Sequence, residues 1–153
     1  MPAVDVTETR TEGSVPPVKI GPRVSWRSGL ATVLDEATFS ADSARWKLTF
    51  TNIDRSQVKD VFLDINNQGD VARLYSGEKL LDDVFYNGEP WEIGLRRYRH
   101  SLASDLSLGI LPLRPDSPIF LERRFRPSRS DSQILELNSV TVIPQYELTF
   151  SIK

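Results

Sequence analysis

The sequence predicts an all-β fold of sandwich type, and three observations carry that reading. Apolar residues recur with period 2 in short runs: Val61, Leu63 and Ile65 alternate with Phe62, Asp64 and Asn66, and Trp46, Leu48 and Phe50 alternate with Arg45, Lys47, Thr49 and Thr51. Ten prolines and eight glycines break the chain at intervals of roughly a strand plus a turn, as in sandwich folds. Helical periodicity is nearly absent, and residues 91–106 leave room for one short helical turn at most. Many short strands with this punctuation point to a β-sandwich or jelly roll.

Taken in order, residues 1–19 are polar, contain Pro16-Pro17, and read as a linker or an extended lead-in. A single sandwich domain is expected over 20–153, its core beginning near Ile20. Val24, Trp26 and the run 31–34 are weak strand signals. The run 45–51 is a clear one, closed by Asn52-Ile53-Asp54. Val61 to Asn66 is the next strand, and Asn66 to Asp70 breaks it. Ala72 to Tyr75 and Lys79 to Leu81 flank Ser76-Gly77, a hairpin signal. The aromatic turn Phe85 to Trp91 leads into Ile93 and Leu95. Leu106, Leu108 and Ile110 alternate before Pro112, and Ile119 to Leu121 is a short strand. Segments 134–137 and 140–142 follow, and Leu148, Phe150 and Ile152 read as a terminal strand. The expected core is Trp46, Leu48, Phe50, Leu63, Ile65, Leu74, Ile110, Leu148 and Phe150.

Composition narrows the functional classes. A chain of 153 residues is most simply one domain. No apolar run reaches membrane-spanning length, and the first residues lack the apolar core of a signal peptide. There are no cysteines, which excludes disulfides and thiolate zinc sites. The net charge of −2 hides an asymmetry: residues 1–95 are net −5, and residues 96–129 are net +5 with eight arginines and no lysine. Such a segregation marks a partner surface.

Four segments carry a family resemblance: GDVARLYSGEKLLDD (69–83), FYNGEPWEIGL (85–95), LGILPLRPDSPIFLE (108–122) and LELNSVTVIPQYELTF (135–150). Together they resemble the C-terminal all-β region of bacterial β-galactosidases of glycoside hydrolase family 35, and FYNGEPWEIGL is the most specific piece. The resemblance implies a jelly roll of the galactose-binding-domain type, serving as a non-catalytic accessory domain. Its partners would be the catalytic barrel and neighbouring domains of a parent chain, with galactosides in reach, in a periplasmic or secreted setting. The other roles weighed are an independent carbohydrate-binding module and a protein-interaction sandwich unrelated to sugars.

Catalysis by this chain alone is not expected. Retaining glycosidases need two carboxyl groups about 5–5.5 Å apart, and no such pair can be read from Asp82, Asp83, Glu89 and Glu92. The family's catalytic pair sits on a (β/α)8 barrel of about 250 residues, too long for this chain. His100, the only histidine, lies among arginines, and no nucleophile-elbow motif accompanies it. No catalytic residue and no cofactor are therefore assigned. Asp60, Asp64, Asn66, Asn67, Asp70, Asp82 and Asp83 offer hard oxygen ligands for a structural calcium, although turn formation explains the same residues.

Sugar contact is assigned to the aromatic loop, through Tyr86, Asn87, Glu89 and Trp91, with Trp26, Tyr98 and Arg96 as further contributors. Flat aromatic faces with a polar handle suit amphipathic ligands. For Trp91 the favoured reading is burial as a cap on the core, which leaves Tyr86 and Glu89 as the ligand-facing candidates. Arg96, Arg97, Arg99, Arg123, Arg124 and Arg126, with Arg129, form two clusters that suit a domain interface, because arginine pairs bidentately with carboxylates. Nucleic acid is disfavoured by the acidic pI of 5.5.

Overall fold

The computed structural model describes residues 2–26, 32–52, 58–101, 105–118, 121–126 and 132–152. Its strands are β1 (Ala3–Arg10), β2 (Lys19–Ile20), β3 (Thr32–Val33), β4 (Ala44–Thr51), β5 (Val58–Gln68), β6 (Val71–Ser76), β7 (Lys79–Phe85), β8 (Trp91–Gly94), β9 (Leu106–Leu111) and β10 (Glu136–Tyr146). One helix, α1 (Glu36–Asp42), and two 3-10 turns, Leu95–Tyr98 and Arg123–Phe125, complete the list. The strands form a five-stranded sheet in the order β1-β4-β9-β6-β7 and a three-stranded sheet in the order β10-β5-β8. Neighbours in both sheets are antiparallel. The protein is an all-β sandwich, as its alternation predicts.

The core lies between the sheets and follows the two-residue period of the strands. Leu48 of β4, Leu74 of β6 and Leu108 and Ile110 of β9 face Leu63 and Ile65 of β5 and Ile93 of β8, and all are sealed from solvent. Trp46 and Trp91 close the ends of this layer, each 8% exposed. The β6–β7 hairpin turns at Gly77, whose φ of 58° is the left-handed conformation that glycine supplies. Where β5 leaves one sheet for β6 in the other, Gly69 packs against β9. A Cβ there would lie 2.5 Å from Ile110 and 3.0 Å from the Leu111 carbonyl, so only glycine makes this corner.

The outer face of the five-stranded sheet has its own cover. Sheet register lines up Arg10, Arg45, Gly109 and Arg73 across β1, β4, β9 and β6. Phe39 of α1 buries itself over Val15, Val71 and Leu111. The guanidinium groups of Arg45 and Arg73 lie 5.1 and 4.6 Å from the Phe39 ring, a cation–π arrangement. Glu36 grips Arg73 through two hydrogen bonds of 2.7 and 2.8 Å. Short as it is, α1 is thus tied to the sheet by one ring and one fork.

Several expectations are corrected. Leu148 and Phe150 are not core residues: they are 77% and 84% exposed, and β10 ends at Tyr146. The tail has a strand's alternation, but among the described residues the β10–β5 pairing runs only to Tyr146, opposite Val58. Trp26 sits in a turn and is 83% exposed. Phe50 is only partly buried. The two segments expected at 134–142 merge into one strand, β10, with a bulge between Leu137 and Ser139. N-terminal to Ile20, β1 pairs with β4 from Ala3 to Arg10, and Val15 is buried. Ile119 and Arg129 lie outside the described residues.

Candidate functional site

At one end of the sandwich a groove of about 670 Å³ opens between the end of β5, the start of β10, the β7–β8 loop and the segment around Phe125. The β5–β10 register builds its floor by placing Gln68 opposite Glu136 and Asn67 opposite Leu137. Asn66, Asn67 and Gln68 thereby meet Gln133, Leu135 and Glu136 across a sequence gap of more than sixty residues. Tyr86 forms one wall. Its backbone N–H donates to the Asp70 carbonyl at 2.9 Å, which fixes the loop to the Gly69 corner. Burial and the nearby Glu136 carboxylate raise the Tyr86 hydroxyl pKa, so that group stays protonated and able to donate.

The opposite wall is the 3-10 turn Arg123–Phe125. Gly88, at φ 92°, lets the β7–β8 loop lie on this turn, and a Cβ there would fall 2.1 Å from the Phe125 ring. Arg124 pairs with Glu122 at 2.9 Å and stacks 4.4 Å from the Phe125 ring. Arg126 donates from Nε to the Leu121 carbonyl at 3.0 Å. Gln133 accepts from the Val15 N–H at 2.9 Å and donates to the Gly13 carbonyl at 2.6 Å, so the N-terminal strap holds it in place. The result is a groove lined by amides, of which Gln133 is held in place, by guanidinium groups and by one tyrosine. Of the described residues lining it, Glu136 is the sole carboxylate.

The sequence-assigned residues divide clearly. Tyr86, Arg124 and Arg126 line the groove. Asn87 and Glu89 are exposed at the loop tip, where the Asn87 side-chain oxygen accepts the Glu89 N–H at 2.9 Å in an Asx-turn. Trp91 is a core residue, in line with the favoured capping reading: it pairs with Ile65 on β5, and that register turns its ring inward. Arg123 is exposed beside the groove. Arg96, Arg97 and Arg99 lie elsewhere, around a basin that includes Asp60 near the start of β5. Asp60 and Asn67 are seven residues apart on one strand, roughly 23 Å at a strand's rise. The two arginine clusters therefore occupy opposite ends of the sandwich and do not form one docking face.

The acidic residues weighed for calcium are likewise dispersed. Asp60 Oδ1 accepts the N–H groups of Val61 and Arg96 at 2.7 and 2.9 Å. Asp82 pairs with Arg97, and Asp64 sits across from Glu92 and Thr141. Among the described residues, no three acidic or histidine side chains stand close enough to share a metal ion. Nor is any helix among them long and apolar enough to cross a membrane.

Asp70 has a different setting. It lines a small pocket of about 100 Å³ together with Val15, Pro16, Val71, Phe85 and Leu111 and with Lys19 and Asp35. Lys19 and Asp35 are already paired at 3.0 Å. Burial in these apolar surroundings pushes the Asp70 carboxyl up from 3.8 to about 6. Comparison with protein-family models, curated proteins and solved structures finds no match for this chain.

Proposed function

We propose that the chain is a non-catalytic accessory β-sandwich of a β-galactosidase-like glycoside hydrolase, and that it meets carbohydrate through the groove beside Tyr86. The observation that carries the reading is the lining of that groove. The side-chain amides of Asn66, Asn67, Gln68 and Gln133 line it, and amides both donate to and accept from sugar hydroxyls. Tyr86 adds a flat ring with a hydroxyl handle. Among the described residues the groove is lined by one carboxylate, Glu136, whereas glycoside hydrolysis uses two.

The strand order supports a jelly roll. With the ribbon β2–β3 set aside, the chain folds back on itself so that β4 pairs with β9, β5 with β8, and β6 with β7, the nested pairing of that fold. β1 would complete the nest beside β10 and is instead hydrogen-bonded to β4. The family resemblance of residues 69–150 points the same way. Fold alone does not fix function, so the test is made on the site. Galactose and lactose should shift the amide resonances of Gln68, Tyr86 and Gln133, and a chromogenic galactoside should turn over only at the background rate. Shifts confined to other surfaces, or turnover abolished by Glu136→Gln, would refute the reading.

A further inference from the structure

The opposite end of the sandwich carries a second, smaller constellation. After β8 the chain enters the 3-10 turn Leu95–Tyr98, with Leu95 buried in the core. Asp60 Oδ1 holds the Arg96 N–H at 2.9 Å. The N–H of Arg99 donates to the Arg96 carbonyl at 3.3 Å, and that of Ser101 to the Tyr98 carbonyl at 2.7 Å. The turn is therefore pinned to β5 and closed on itself. Arg96, within this turn, and Arg99, which caps it, line one and the same basin.

Their neighbour Arg97 is engaged, pairing with Asp82 of β7 and lying 4.8 Å from the Tyr98 ring. Arg96 and Arg99 are exposed, and among the described residues no carboxylate pairs with either. They rim a basin of about 640 Å³ shared with Asp60, Gly94, Arg97 and His100. Asp60 is its one carboxylate among the described residues, and one of its oxygens is committed to two amides. Two like-charged guanidinium groups that line one basin repel each other. An anion between them turns that repulsion into two charge-assisted contacts.

We propose that this basin binds a single tetrahedral oxyanion, a phosphate or sulfate group carried on a larger molecule. The scale fits one such group: one turn of 3-10 helix rises about 6 Å. A track of phosphates would need charge continued along the surface, and the other arginine cluster is at the far end of the sandwich. The proposal is independent of the carbohydrate groove.

The test titrates the whole chain with sodium sulfate, sodium phosphate and sodium acetate at constant ionic strength and follows the amides of residues 94–101. Sulfate or phosphate should saturate these shifts, and acetate should not. Arg96→Ala and Arg99→Ala should each weaken binding about tenfold or more, whereas Arg123→Ala should leave it unchanged. Tighter phosphate binding points to a phosphorylated partner, and tighter sulfate binding to a sulfated one. The proposal is overturned by equal shifts with acetate, by no saturation, or by full binding in a folded Arg96→Ala/Arg99→Ala variant.

Discussion

Replacing Asp70 by asparagine should stabilise the protein at neutral pH and change the balance little near pH 4. The carboxyl faces an apolar pocket, and burial raises its pKa from 3.8 to about 6. A folded pKa above the unfolded one means that the folded state holds the proton more tightly. The contribution of Asp70 to stability is therefore fully present below about pH 4 and is lost as pH rises through 6. A shift of about two units corresponds to roughly 3 kcal/mol between the two ends of that window. Asparagine has nearly the same shape and carries no charge at any pH in the range, so it removes the dependence. Urea unfolding of the wild type and Asp70→Asn at pH 4, 5, 6, 7 and 8 measures it. The difference between the two free energies should grow by roughly 2–3 kcal/mol across the series. Any fixed cost of placing an amide in the pocket is the same at every pH and cancels. Parallel stability profiles would refute the burial argument.

Trp91→Ala should cost about 3–5 kcal/mol in a denaturant melt, because the ring fills the core beside Ile65. A loss under about 1 kcal/mol would place the ring on the surface instead. Truncation after Glu147 should leave the unfolding free energy within about 0.5 kcal/mol, since Leu148, Phe150 and Ile152 are exposed. A large loss would restore the terminal strand that the alternation of this segment suggests.

What the sequence reveals depends on how local the signal is. The strands β4, β5, β6, β7 and β9 are legible because each has one face in the core, and burial contrast writes itself as alternation. The tail alternates just as clearly, yet alternation describes a strand's two faces and says nothing about whether a neighbouring edge exists. Helix α1 has seven residues and only Phe39 buried, too little for a 3.6-residue period to register. β1 is an edge strand with Val4 and Val6 as its only valines, and edge strands tolerate polar sequence. Of the groove, the sequence offers Tyr86, Arg124 and Arg126. Glu136 escapes notice because only the β5–β10 register brings it opposite Gln68, and Gln133 because distant Gly13 and Val15 hold it in place. Trp91 is legible as a core cap from its place just before Ile93 and Leu95, although its loop has a ligand-binding composition, and its pairing with Ile65 turns it inward.

The central claim is that the Tyr86 groove binds saccharide without hydrolysing it. Isothermal titration of the chain with lactose, in the wild type and in Tyr86→Ala, tests it most directly. Tyr86 is half-buried in the groove wall, so the variant's melting temperature is recorded alongside. A dissociation constant on the order of 1 mM, about −4 kcal/mol, is expected in the wild type, with no measurable heat in a folded Tyr86→Ala variant. Equal binding by both proteins, or no binding by the wild type, would contradict it.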